Sequence, residues 1–237
     1  MSLARGGVGM PKTAVIGAAL IWAFWVVCSH AFTPTEAYDV RRVHGWTILV
    51  SPGFADDKDA RDGALAELDR QLGNIAGAVP EPALGYIRET RIWLEYRADR
   101  PRRAVYHRSA GWLEKNGYNP AKAKAVEVDQ GIVTRRQTAP WSMMHELAHA
   151  YYDTVLRRQS AALDQAYADA VATGRYADVM RNSGRRQEAY AIRNVSEFFA
   201  EHSEAYFGEN DFEPFDREQL QAFDPQAFAV LERLWRQ

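Results

Sequence analysis

The sequence has little cysteine and no excess of positive charge. Cys28 is the only cysteine among 237 residues, so no disulfide can form within the chain. Lys and Arg number 29 against 31 Asp and Glu, which gives a formal charge of −2. This balance argues against a general nucleic-acid-binding protein.

The sequence also lacks the run of roughly 20 apolar residues that a membrane-spanning helix needs. Its first part contains a shorter apolar run, 13–27, which follows Arg5 and Lys12 and precedes the small-x-small pattern Ser29-His30-Ala31. This arrangement predicts a signal peptide over residues 1–31, and therefore a secreted or periplasmic protein. The alternative is an uncleaved N-terminal segment, which would be the protein's only association with a membrane.

The apolar periodicity predicts one α+β domain over residues 32–237, with a small N-terminal sheet and a mainly helical C-terminal half. Strands are predicted at 45–50 and 91–96, with a third strand or a short hairpin inside 123–134. An amphipathic helix is predicted over 57–78. Further helices are predicted at 141–158, 161–172, 176–182, 194–207 and 225–236.

The residues that carry chemistry are His145-Glu146-Leu147-Ala148-His149, an H-E-x-x-H motif. Histidines four apart share one face of a helix, so both imidazoles can bind one tetrahedral zinc ion. Glu146 lies about 100° round the helix, where it can act as general base toward an activated water. The surrounding residues are apolar nearly all round the helix, which predicts that it is buried.

The third metal ligand has to come from another part of the chain. The extension H-E-x-x-H-x-x-G-x-x-H is absent, whereas the segment 194–201 supplies Glu197 and Glu201 on one face of a predicted helix. Glu197 is the candidate ligand, and Glu201 would accept a hydrogen bond from the outer N–H of a ligand histidine. His202 and Asp153 remain alternative ligands, and an acidic stripe is also typical of an ordinary surface helix.

The pair of motifs H-E-L-A-H and E-F-F-A-E resembles the gluzincin family of zinc metallopeptidases, in particular catalytic domains of the lethal-factor type. The resemblance covers 141–152 and 190–207, and other segments resemble secreted bacterial proteins that carry the same zinc motif. It implies a zincin-like fold, with Glu197 as the third zinc ligand and Glu201 beside the ligands. It also implies that Tyr190, seven residues before Glu197, faces the metal and hydrogen-bonds the oxyanion or the leaving group.

The sequence therefore predicts a secreted zinc metallopeptidase that hydrolyses a peptide or protein substrate. His145, His149 and Glu197 would hold Zn²⁺, Glu146 would be the general base, and no nucleic acid would be a partner. Two alternatives stay open. One is a zinc hydrolase that acts on a non-peptide amide, and the other is a non-catalytic binding domain that zinc stabilises. The segment 125–129 is predicted to be the strand nearest the cleft, where an extended peptide could add to the sheet.

Overall fold

The computed structural model describes residues 32–98, 104–157 and 160–237, and the predicted signal peptide lies outside them. The described residues form the mixed α+β fold that the sequence predicts. Its main sheet has five strands in the order β1-β2-β3-β5-β4. The strands are β1 (Asp39–Val43), β2 (Trp46–Val50), β3 (Ile92–Glu95), β4 (Val105–His107) and β5 (Ala125–Asp129). Strands β2, β3 and β5 are parallel, and the two outer strands, β1 and β4, are antiparallel to their neighbours.

Most of the helices follow the sheet in the chain. They are α1 (Lys58–Ala78), α2 (Ala83–Arg88), α3 (Ala110–Lys115), α4 (Ser142–Tyr151), α5 (Ala161–Thr173), α6 (Val195–Phe207), α7 (Arg217–Phe223) and α8 (Pro225–Leu234). Asp57 caps α1, and Asp224 caps α8 with Pro225 in its first turn, in keeping with the preferences of helix starts. None of the helices in the described ranges has the length and apolar character that crossing a bilayer requires.

The two faces of the sheet bury different sets of side chains because successive residues of a strand point to opposite faces. One face joins the main hydrophobic core, with residues such as Ile48, Ile92 and Val126. The other face forms a small cluster of Tyr38, Leu49, Trp93 and Ala125. Helices α1 and α4 contribute side chains to the main core. Helix α4 contacts β4 and β5 of the sheet and also packs beside α6.

Two expectations about the chain are wrong. The segment 176–182 is not helical, because β6 (Val179–Met180) and β7 (Arg186–Gln187) form a short antiparallel hairpin. Gly174 ends α5 with a positive φ, and Gly184 supplies another positive φ in the hairpin turn, a conformation that glycine adopts most readily.

Strand β5 is not the strand at the cleft either, since β3 and β4 pair with its two edges. Strand β4 lines the cleft instead.

Aromatic packing fixes the helices that carry the two sequence motifs. Trp235, just after α8, stacks on Tyr151 of α4 at 4.6 Å between ring centroids and on Phe199 of α6 at 5.3 Å. Its indole N–H donates to the Ser203 hydroxyl at 3.0 Å. Aromatic pairs of this kind contribute about 0.5–1.5 kcal/mol each beyond the area they bury. The C-terminal helix thus sets the spacing between α4 and α6.

The backbone just after α6 lies close to a tryptophan side chain just before α4. Gly208 follows α6, and Trp141 precedes α4. A Cβ at position 208 would lie 1.9 Å from Cε2 of Trp141, a distance that non-bonded carbon atoms do not tolerate. Only glycine therefore allows the Trp141 ring to cover the end of α6.

We expect Gly208→Ala to lower the free energy of unfolding by roughly 1–3 kcal/mol, because the added methyl group displaces the Trp141 ring. Urea denaturation followed by tryptophan fluorescence measures the change. Gly77→Ala is the matched control, since a Cβ there meets no heavy atom within 4 Å and alanine favours the helical backbone. Equal stability of Gly208→Ala and the wild type would contradict the close-packing argument.

Candidate metal centre

Helix α4 presents the two motif histidines on the side that faces α6. The rest of its surface is buried among apolar residues, so the helix cannot rotate without exposing them. His145 and His149 are both partly buried, and their Nε2 atoms lie 3.1 Å apart. The i, i+4 spacing has therefore brought both imidazoles to one point, as the motif predicts.

Helix α6 brings Glu197 to the same point. The Asn194 side chain accepts hydrogen bonds from the backbone N–H groups of Ser196 and Glu197, both at 3.0 Å, so the helix starts just before the carboxylate. Glu197 Oε2 lies 3.1 Å from Nε2 of His145 and 3.2 Å from Nε2 of His149. The three residues that the sequence nominated as ligands thus meet.

The geometry and chemistry of this triad fit a small tetrahedral cation such as zinc. Donor atoms about 2.0–2.1 Å from one zinc ion, at tetrahedral angles, lie about 3.3 Å from one another. The three observed separations are 3.1, 3.1 and 3.2 Å. If each histidine keeps its proton on Nδ1, three lone pairs converge with no proton between them, and a cation is what would stabilise them.

Hydrogen bonds to the outer ring nitrogens support that tautomer. His145 Nδ1 lies 2.8 Å from Glu204 Oε1, and His149 Nδ1 lies 2.8 Å from the Ser196 hydroxyl oxygen. Such contacts fix the tautomer and orientation of ligand histidines. Glu201 also lies beside His145 but at 3.5 Å, so Glu204 is the closer carboxylate.

Glu204 and Ser196 are the site residues that sequence reasoning did not assign. Glu204 continues the stripe of Glu197 and Glu201 by one further turn, so its position on the helix was readable from spacing. Which member of the stripe contacts His145 depends on how α6 is rotated against α4, and spacing alone does not give that. Ser196 offered no signal beyond its place next to Glu197.

Burial and the neighbouring charges shift the pKa values of the cluster in opposite directions. Burial would raise the pKa of Glu197, but hydrogen bonds with both histidines outweigh it and lower the pKa to about 2. Burial lowers the pKa of His145, yet its bonds to Glu197 and Glu204 hold that pKa well above the usual value. Burial raises the pKa of Glu204 to about 7. Protons therefore compete with a cation for this site.

Glu201 is the most isolated carboxyl group in the cluster. It is buried, and its Oε2 atom has no hydrogen-bond partner among the described residues. Burial, and then the negative charge of Glu204, raise the pKa of Glu201 well above its usual value. Glu201 thus lies beside a candidate ligand histidine, His145, as the sequence predicts. That it accepts a hydrogen bond from the outer N–H of that ring remains a prediction.

Glu146 and Tyr190 both line the cleft that opens over the triad. Glu146 Oε2 accepts a hydrogen bond from the backbone N–H of Tyr106 in β4 at 2.7 Å, and burial raises the pKa of this carboxyl group. Tyr190 lies in a 3-10 turn just before α6. Its ring centroid is 6.4 Å from that of His145, so its ring lies beside the triad.

The two alternative ligands have partners elsewhere. Both ring nitrogens of His202 are engaged, Nε2 with the Tyr176 hydroxyl at 2.6 Å and Nδ1 with the Phe198 carbonyl at 2.6 Å. Asp153 Oδ2 lies 2.5 Å from the Lys124 ammonium group and accepts a hydrogen bond from the Tyr106 hydroxyl at 3.0 Å. Among the described residues, two groups of side chains could hold a metal ion: the triad of His145, His149 and Glu197, and a second group of His145, Glu201 and Glu204. Only the triad contains both motif histidines, and neither group contains His202 or Asp153.

The triad lies in an open cleft of about 940 Å³, a size suited to a short peptide or a comparable ligand. Compared with known proteins, the chain matches no protein-family model, no curated protein and no solved structure. The inference about function therefore rests on the residues and their geometry.

We expect Glu204→Ala to weaken zinc binding roughly 10- to 100-fold, because His145 loses the carboxylate that orients its ring. Competition with a fluorescent zinc chelator measures the affinity. Glu209→Ala removes an exposed carboxylate just beyond α6 and should leave the affinity unchanged. If Glu204→Ala binds zinc like the wild type, the supporting role assigned to Glu204 is wrong.

Proposed function

We propose that this protein is a zinc-dependent hydrolase with a zincin-like fold. The observation that carries the proposal is the convergence of His145, His149 and Glu197 within 3.2 Å of one another, next to Glu146 in an open cleft. Helix α4 over a small sheet, with a glutamate from the downstream helix α6, agrees with the arrangement that the gluzincin resemblance implies.

Within that class, we propose a secreted or periplasmic metallopeptidase that cleaves peptide bonds. The position of β4 supports this choice, because β4 is the last strand in the order of the described sheet and lines the cleft. An extended peptide can add to the edge of a sheet. Export rests on the apolar segment 13–27 and the small-x-small pattern that follows it.

The chain's own residues have separate tasks in the proposed reaction. A zinc ion bound to the triad would supply Lewis acidity, which lowers the pKa of a water molecule toward neutrality and polarises the substrate carbonyl. Glu146 takes the proton from the attacking water and delivers it to the leaving amine, and its buried position keeps its pKa above that of an exposed carboxyl group. Tyr190 donates a hydrogen bond to the developing oxyanion or to the leaving group.

Two other functions fit parts of the same site. A hydrolase for a non-peptide amide would use the same residues, and substrate profiling distinguishes it from a peptidase. A binding domain stabilised by zinc would have no use for a general base and would close the fourth ligand position. Glu146 beside the triad and the open cleft therefore favour an enzyme.

Glu146→Gln should lower kcat by roughly 10²–10⁴-fold while the protein still binds one zinc ion, because the general base is lost and the ligands are kept. Glu197→Ala should lose zinc and activity together. Cleavage of a peptide library, followed by mass spectrometry, gives the activity, and elemental analysis gives the metal content. Glu209→Gln is the control with an exposed glutamate. A fully active Glu146→Gln variant would overturn the proposed mechanism.

Tyr190→Phe should lower kcat by about 10²-fold with little change in KM, since the lost hydrogen bond forms in the transition state. Zinc content should remain at the wild-type level. Tyr86→Phe removes a hydroxyl from an exposed tyrosine on α2 and should have no effect. An unchanged kcat in Tyr190→Phe would limit Tyr190 to a packing role.

A further inference from the structure

Five arginines line the cleft above the triad. They are Arg108, Arg135, Arg157, Arg181 and Arg193. Asp153 forms ion pairs with two of them, Arg108 and Arg157, each at 3.4 Å. Asp211 pairs with Arg181 at 2.8 Å, and Arg135 also has an interaction partner. Four of the five charges are thus already engaged.

Arg193 differs from the other four. Its side chain is exposed, and its recorded contact is with the Tyr190 ring, whose centroid lies 4.2 Å from the guanidinium carbon. It forms no hydrogen bond and no ion pair with any part of the chain that the structure describes. A guanidinium stacked on an aromatic ring keeps all its N–H donors in the plane of the group, where they remain free for a ligand.

The position of Arg193 puts this charge close to the proposed reaction centre. Tyr190 and Arg193 begin and end the same short 3-10 turn, and the Tyr190 ring centroid lies 6.4 Å from that of His145. The guanidinium carbon therefore lies within about 11 Å of the His145 ring. An extended peptide covers that distance in roughly three residues, so a group near the scissile bond can reach Arg193.

We propose that Arg193 determines specificity by binding a carboxylate of the substrate within about three residues of the scissile bond, an inference that rests on the proposed peptidase function. A planar guanidinium and a carboxylate form two parallel charge-assisted hydrogen bonds. Stacking on Tyr190 fixes the orientation before the substrate arrives, which lowers the entropy lost on binding. The carboxylate belongs either to an Asp or Glu side chain or to the C terminus of the peptide.

The binding of probes anchored on zinc tests whether Arg193 binds a carboxylate, and it does not depend on catalytic turnover. The probes are short peptides that carry an N-terminal hydroxamate group, with Glu or Gln at the first, second or third residue and with a free or an amidated C terminus. The zinc-loaded wild type should bind the probe with the matching carboxylate roughly 10- to 100-fold more tightly than its amide counterpart. A preference for Glu over Gln identifies a side-chain carboxylate, and a preference for the free terminus identifies the C-terminal one.

Variants of Arg193 connect that preference to the residue. Arg193→Gln should reduce the preference to within about threefold of unity, and Arg193→Lys should restore part of it, because lysine keeps the charge without the planar fork. Arg42→Gln is the matched control. It removes an exposed arginine from β1, at the opposite edge of the sheet from β4, and should keep the full preference.

The outcomes separate this inference from the proposed function. If the wild type does not discriminate carboxylate from amide, or if Arg193→Gln keeps the discrimination, the role of Arg193 is overturned, whether or not peptides are cleaved. If the preference depends on Arg193 but the wild type cleaves no member of the peptide library, the carboxylate site stands and the peptidase function fails. Absence of any probe binding would overturn the carboxylate site.

Discussion

The contact between α4 and α6 through His145, His149 and Glu197 is the constraint on which the rest of the structure depends. It places three polar groups, each largely shielded from water, at the wall of the cleft, where each needs a partner to offset the loss of water. Glu204 and Ser196 contact the outer ring nitrogens, so that with the ring protons on those nitrogens three inward-facing lone pairs would be left for a cation. A displacement of either helix by about 1 Å would separate the candidate ligand atoms, which lie within 3.2 Å of one another.

The surroundings of this contact restrict such a displacement. Trp235 stacks on aromatic residues of both helices, and Gly208 lets the Trp141 ring close over the end of α6. Rigid packing of this kind is how a protein keeps metal ligands oriented. One wall of the cleft, formed by β4, contacts Glu146, and the turn before α6 carries Tyr190 and Arg193. The groups proposed for chemistry and for recognition are thus attached to the same two helices.

Local signals in the sequence predicted much of the fold. The helix over α1 follows from apolar spacing and from the Asp57 cap, and β2 and β3 follow from runs of β-branched and aromatic residues. The hairpin of β6 and β7 was missed because strands of two residues have no periodicity to detect. The edge position of β4 was missed because strand order depends on pairing between distant segments, as when Tyr106 lies opposite Val126.

The sequence by itself determined the α+β class, the shared face of His145 and His149 and the nomination of Glu197, since each depends on spacing within one element. Only the tertiary structure decided that Glu204 lies closer to His145 than Glu201 does and that Ser196 supports His149. It also decided that Arg193 lies at the cleft, stacked on Tyr190 and without an ion pair to any described residue. These features depend on the rotation of α6 against α4 and on the path of the turn before α6, which packing between distant residues sets and local spacing does not.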